Sequence, residues 1–279
     1  METGVKKPKK AAVPKATKAA ETEPTVADAG TLALRLDRLA KQLESVDVWT
    51  RRSAKARQPR LDRNRIAAVA LRLADTDGLD GLSMRRIAAE LGVGTMSLYH
   101  YVRTKDELLT LVLDGLLAEV IVPAATLVPS DWRAAMTLIA GRTRAALQRH
   151  PWVLDLADEP AIGPNAIRHF DQTLGALRGL DATLTDKLDL LTAVDEFVFG
   201  YCLQSRTRLR ADEAENPALL SYIQSLLAEG EYPALASMVG EVGTEVLWVG
   251  IQRQIRDPGR FDRNLARLLD GFHASLTLS

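Results

Sequence analysis

The side chains with most to offer another molecule lie between Thr95 and Lys105. Thr95, Met96, Ser97, Tyr99, His100 and Tyr101 bring hydroxyls, a thioether, rings and an imidazole into seven consecutive positions, and Arg103 and Lys105 add cations just beyond. Leu98 and Val102 are the apolar exceptions, four apart, so a helix that buries them leaves the others outside. Upstream, Met84, Ile87, Ala88 and Leu91 are spaced by three, one and three, which places them on one helical face. Gly92 then supplies the left-handed residue at which a helix stops, and Val93 plugs the turn. Two short helices across a glycine turn, the second with a polar outer face, are the sequence form of a helix-turn-helix, whose second helix lies in the DNA major groove.

Bond-making chemistry has weaker support. The histidines, His100, His150, His169 and His273, are scattered, and no HExxH, GxSxG or P-loop pattern occurs. Cys202 sits in an apolar helical stretch with no basic neighbour, the setting of an inert buried thiol. The adjacent acids Asp158-Glu159, Asp195-Glu196 and Asp212-Glu213 point about 100° apart on a helix, which suits solvated surface. Asp155 and Glu159 would share a face, but Pro160 ends that helix. No enzymatic role, cofactor or metal site is expected.

The elements that must position the polar stretch are helical throughout. Asp62 is a good N-cap for a helix that buries Ile66, Val69, Ala70 and Leu73 and ends at Gly78. Ser83 caps the first motif helix. Thr104 and Glu107 form a capping box, each satisfying the other's backbone N–H, before a fourth helix through Leu108, Leu109, Val112, Leu113 and Leu116 to Pro123. Further helices are expected over 131–150, 165–180, 185–210, 217–228, 233–255 and 260–276. No strand-like alternation and no internal repeat occurs, so the fold is all-α. Residues 1–30 are low-complexity Lys, Ala, Pro and Glu and should be disordered, serving as a solvated tail or a basic arm. Leu32, Leu36, Leu39, Leu43 and Val46 make one stripe on an extra amphipathic helix. Arg51, Arg52, Lys55, Arg57 and Arg60 follow with no acid among them, either touching the DNA backbone or minor groove or forming a solvated linker.

A formal net charge of zero hides a gradient. Residues 1–20 hold six cations against one acid, and residues 51–112 twelve against seven. Residues 113–279 hold fifteen against twenty-two. A basic front and an acidic back fit a chain whose N-terminal part meets a polyanion. One cysteine excludes an internal disulfide framework and fits a reducing cytoplasm. No apolar run approaches the ~20 residues of a membrane span, so no membrane partner is expected.

Over Leu61 to Val120 the chain resembles the DNA-binding domain of the tetracycline-repressor (TetR) family of bacterial transcription regulators. The residues that carry the likeness are Gly78, Leu82-Ser83, Arg85, Ala88, Leu91-Gly92-Val93, Leu98-Tyr99, Val102 and Lys105-Asp106-Glu107-Leu108. More weakly, Ala193 to Gly200 resembles the ligand-binding and dimerisation domain of the tetracycline repressors proper. The resemblance implies that Arg85 reaches a guanine edge and that Thr95, Met96 and Tyr99 meet thymine methyls. Ser97, His100, Tyr101, Thr104 and Lys105 would hydrogen-bond phosphates and set register. For Tyr101 there is an alternative, a ring packed beneath the motif. Arg86 should face solvent.

The resemblance also implies a homodimer on double-stranded operator DNA, with Asn264, Leu265, Leu268, Leu269 and Phe272 supplying the dimer face on the last helix. An unknown small-molecule effector would bind among Trp132, Met136, Trp152, Asp155, Phe170, Leu174, Glu196, Phe197, Tyr201 and Trp248, each of which could equally be ordinary core. Where the tetracycline repressors carry drug-metal histidines, Asp155 and Glu196 stand here, so a tetracycline–magnesium complex is not the expected effector. An unpaired Glu196 among apolar neighbours would be costly unless a cationic or hydrogen-bonding ligand, or a partner arginine, offset it. The expected organisation is a tail over 1–30, the extra helix and linker over 31–60, the helix-turn-helix domain over 61–122 and the ligand and dimerisation domain over 123–279. The expected function is a ligand-released repressor on a palindromic operator. The alternative is a ligand-independent architectural DNA-binding protein.

Overall fold

Asp62, Ser83, Thr104 and Asp131 each start a helix in the same way. Their side-chain oxygens accept the backbone N–H three residues on, from Arg65 at 2.7 Å, Arg86 at 3.3 Å, Glu107 at 3.1 Å and Ala134 at 2.9 Å. The helices so begun are α1 (Arg63–Asp77), α2 (Met84–Leu91), α4 (Lys105–Val120) and α5 (Trp132–Arg149). Between α2 and α4 lies the short α3 (Thr95–Tyr99), entered through Gly92, which is left-handed at φ 67° and ψ 33°. Then follow α6 (Pro164–Ala176), α7 (Leu184–Arg210), α8 (Pro217–Ala228), α9 (Pro233–Val242), α10 (Thr244–Arg256) and α11 (Arg260–Leu276).

The computed structural model describes residues 46–51, 61–123, 131–156, 162–210 and 217–276, all within the compact unit Gln42–Ser279. Among them there is no strand, and the chain is all-α as expected. The tail over 1–30, the extra helix before Val46, the linker cations beyond Arg51 and the acids Asp158, Glu159, Asp212 and Glu213 lie outside the described residues.

Several local expectations need correction. The capping box at Thr104 is only half formed. Its Glu107 carboxylate, 6% exposed, accepts from the Arg103 N–H at 2.7 Å and pairs with Arg51 at 2.6 Å. A reciprocal box forms instead at α7, where Thr183 and Asp186 exchange bonds of 3.0 and 3.1 Å. Arg51 therefore has acidic partners after all, Glu107 and Asp47, and these hold its guanidinium's pKa above the ordinary value. The single helix expected over 233–255 is two, bent by 98° at Gly243, whose φ of 84° no helix interior can hold. The helix expected to reach Leu180 stops at Ala176 and continues as turns.

The element that joins the molecule is α4. Leu108, Leu109, Leu111, Val112, Leu113 and Leu116 are all buried, so this helix is apolar on every side and must be covered on every side. It packs on α1 across one face and on α5 and α6 across the other. Beyond it, α5, α7 and α11 share a core built on Met136, Ile139, Leu190, Val194, Phe261 and Leu265. Helices α9 and α10 bury no residue in the single chain. No single helix among the described residues is long and apolar enough to cross a membrane.

Candidate nucleic-acid interface and effector cavity

The polar stretch stands on two anchors. Leu98 and Val102 are fully buried against Ile87, Ala88 and Leu91 of α2, each such burial worth roughly 1.5–3 kcal/mol. Their four-residue spacing turns the other face outward. Met96 is 75% and Tyr99 42% exposed, large values for such side chains. Ser97, His100, Arg103, Thr104 and Lys105 are exposed, Thr95 is half-buried, and Arg85 is exposed on α2. Arg86 pairs with Asp77 at the surface, so it is neutralised rather than simply solvated. Tyr101 is 8% exposed and its ring packs in the core beneath the motif, the alternative placement.

Three polar joints fasten α4 to the helices behind it. The Asp114 carboxylate, in the middle of the apolar α4, accepts from Asn165 N–H at 2.9 Å, Ala166 N–H at 3.0 Å and Asn165 Nδ2 at 2.9 Å. Those are the first free N–H groups of α6, whose own N-cap is Gly163 with no side chain to give. Burial pushes the Asp114 pKa up and these donors oppose the rise. At the other end of α4, Arg142 donates to the carbonyls of Glu119, Val120 and Ile121 at 2.6, 2.7 and 2.9 Å, a cation placed on the helix's negative pole. The third joint ties His150 and Trp152 to α1. His150 Nδ1 lies 2.6 Å from Asp75, its Nε2 lies 3.3 Å from Glu119 on α4, and the Trp152 indole donates to Asp75 at 2.8 Å. None of these joints was expected. A lone acid inside LLTLVLDGLLA was the available signal, since unpaired acids are rarely buried.

Behind α4 lies a cavity of about 570 Å³. Leu113, Leu116, Leu117 and Val120 of α4 form one wall, Leu147, Val153 and Leu156 another, and Phe199 of α7 a third. Its polar groups are Thr143, His169, Asp195 and Glu196. A second cavity of about 280 Å³ shares Leu117, His169 and Asp195 with it and extends to Phe170 and Thr192. Of the ten expected effector residues, only Glu196 and Phe170 line these spaces. Trp132 and Met136 are buried in the core of the helical half, Trp132 beside His273. Trp152 is engaged with Asp75, and Asp155 is paired with Arg206 at 2.8 Å. Phe197 and Tyr201 pack on Phe261 at ring distances of 5.3 and 5.0 Å. Leu174 and Trp248 are half-buried away from both cavities. His169 and Asp195 were missed, because scattered histidines and adjacent acids read as surface.

His169 Nδ1 is buried without a hydrogen-bond partner, and burial lowers the ring's pKa. Asp195 lines both cavities, and the apolar wall pushes its carboxyl up to about 6. On α11 the expected dimer face splits. Leu265 and Leu269 are buried within their own chain and cannot face a partner, while Leu268, Phe272 and Asn264 are half-buried. Cys202 is buried and its thiol is pushed up to about 11 by burial, as an inert thiol should be. No group of three or more metal-binding side chains occurs among the described residues.

Comparison with known proteins gives this geometry a context. Residues 126–276 match the family described as "Tetracyclin repressor-like, C-terminal domain", and residues 66–112 match "Bacterial regulatory proteins, tetR family". The chain is 36% identical over 211 residues to the HTH-type transcriptional repressor DrrR1 of Streptomyces coeruleorubidus, covering 72% of this chain and 77% of that one. It is 35% identical over 192 residues to an HTH-type transcriptional regulator of Saccharopolyspora erythraea, covering 68% and 80%. The Streptomyces coelicolor TetR family protein ActR in complex with actinorhodin superposes with a TM-score of 0.60 at 26% identity, over 78% of this chain and 98% of that one. The helix-turn-helix on α2 and α3, the helical half behind α4 and these likenesses agree: the chain belongs to the TetR family of DNA-binding transcription regulators.

Proposed function

We propose that this protein is a homodimeric repressor that binds a roughly palindromic operator and leaves it when a small molecule fills the cavity behind α4. Residues 61–122 read DNA, and residues 123–279 bind the effector and dimerise. The observation that carries the proposal is the position of α4, packed on α1 of the reading head and also forming one wall of the cavity. A ligand that swells or reshapes the cavity must therefore act on the helix that carries the reading head, which couples the two sites. Two-fold symmetry then predicts inverted half-sites about one helical turn apart or a multiple of it.

Within the head, Arg85 donates to a guanine edge, and Thr95, Met96 and Tyr99 contact base methyls. Ser97, His100, Thr104 and Lys105 bind phosphates. A second copy is supported by α9 and α10, where Met238, Val242, Val246 and Val249 are exposed in the single chain although apolar. Leu268 and Phe272 remain the α11 positions available to a partner. The ligand-independent architectural alternative has no use for an apolar cavity walled by the helix that carries the reading head. Selection of bound sequences from a random DNA pool tests the proposal: an inverted repeat should be enriched, and a pool without symmetry would refute dimeric operator binding. ActR has been seen in complex with actinorhodin and with (S)-DNPA, which supports a small-molecule effector here.

A further inference from the structure

The chemistry of the cavity narrows what can enter it. Among its described lining residues there is no lysine or arginine, and its titratable groups are His169 from α6 with Asp195 and Glu196 from α7. Neither α4 nor α5 brings a charged group to it, and Thr143 is the polar contribution of α5. Asp155, the nearest acid on the 151–156 turn, does not line it and is already paired with Arg206. The carboxylates of Asp195 and Glu196 have no hydrogen-bonding or ionic partner among the described residues, and His169 Nδ1 is buried unpartnered. The remaining wall is aliphatic or aromatic. Asp195 and Glu196 are exposed at the rim of this apolar wall, so the site repels anions and presents two unpaired carboxylates to an incoming cation.

Resting on the reading of the cavity as the effector site, we infer that the effector is a lipophilic cation, a flat or compact apolar molecule bearing a protonated amine. Its charge lies beside the carboxylates of Asp195 and Glu196, with the His169 ring in the same wall. The apolar body lies along Leu113, Leu116, Leu117 and Phe199 of the wall. Because Asp195 is pushed up to about 6, it is largely ionised near pH 7 and protonated near pH 5. A cation binds the ionised form, so affinity rises as pH rises through this range. If only the ionised form binds, the available fraction differs about tenfold between pH 5 and pH 7.

The test uses the full chain without DNA and three fluorescent probes that differ in charge alone: pyrenemethylammonium, pyrenemethanol and pyrenecarboxylate. The ammonium probe should bind saturably and about tenfold more tightly at pH 7 than the alcohol, and the carboxylate weakest. Asp195→Asn should weaken the ammonium probe about tenfold, abolish its pH dependence between pH 5 and 7, and leave the alcohol unchanged. Glu196→Gln should weaken it without removing the pH dependence. Equal binding of the three probes, tighter carboxylate binding, no binding at all, or an Asp195→Asn protein that keeps the wild-type pH profile would each overturn the inference. Release of bound DNA, followed separately by anisotropy of the labelled operator, tells its failure from that of the regulator reading. Release by the carboxylate or alcohol alone sinks the cation and keeps the switch, whereas tight ammonium binding without release keeps the cation site and sinks the switch.

Discussion

Asp114→Ala is the sharpest test of how the reading head is held. Asp114 is 2% exposed and satisfies two backbone N–H groups at the start of α6 together with the Asn165 amide. Alanine leaves the two N–H groups without their acceptor, at roughly 1–3 kcal/mol each. Part of this overlaps with the ~1 kcal/mol of an ordinary helix cap, so the expected cost is about 3 kcal/mol. For a domain of this size that lowers Tm by roughly 6–12 °C, measured by calorimetry or circular dichroism. Asn165→Ala on the same background should add less than it does alone, because the two side chains share one network. Gly163 gives an independent handle: a Cβ there would lie 2.3 Å from Asp114 Oδ1 and 2.7 Å from the Trp49 ring, so Gly163→Ala should also destabilise. The pH dependence has a definite sign. Burial raises the Asp114 pKa in the folded protein, so its contribution to stability is fully present below the unfolded value and is lost as pH rises through the folded one. Relative to Asp114→Asn, the wild type should lose stability as pH climbs above the ordinary aspartate value. A loss below about 0.5 kcal/mol for Asp114→Ala, or a Gly163→Ala protein as stable as wild type, would refute the capping role.

Arg85→Ala should cost about 1–3 kcal/mol of operator affinity and relax specificity at one base per half-site, and an equal loss on random DNA would reassign Arg85 to phosphate. Lys105→Ala should weaken every sequence and reduce the salt slope by about one per contact; an unchanged slope removes it from the interface. Arg51→Ala leaves the 6% exposed Glu107 without its guanidinium and should destabilise the fold by about 3 kcal/mol, read as a fall in denaturant midpoint. Cys202, with its thiol raised to about 11 by burial, should react slowly with a thiol reagent in the native protein and rapidly once unfolded. Fast native labelling would place it at the surface.

The sequence by itself determined most of the helices and the exposed polar face of α3. Caps at Asp62, Ser83 and Thr104, stops at Gly78 and Gly92, and the Leu98–Val102 spacing are local signals, complete within a few residues, and each is found where it was expected. Tertiary structure decided the rest, because it turns on partners far apart in the chain. Asp114 meets Asn165, Asp75 meets Trp152 and Glu107 meets Arg51 across fifty residues or more. The residues expected around an effector do not gather at one cavity for the same reason. Aromatic residues such as Phe197 and Tyr201, plausible as lining, close on Phe261 instead, and the space behind α4 is walled by aliphatic residues with His169 and Asp195 among them. Leu265 and Leu269 turned inward because α11 lays that stripe on α5 and α7. A periodic pattern tells that a helix has an apolar face; only the packed chain tells what covers it.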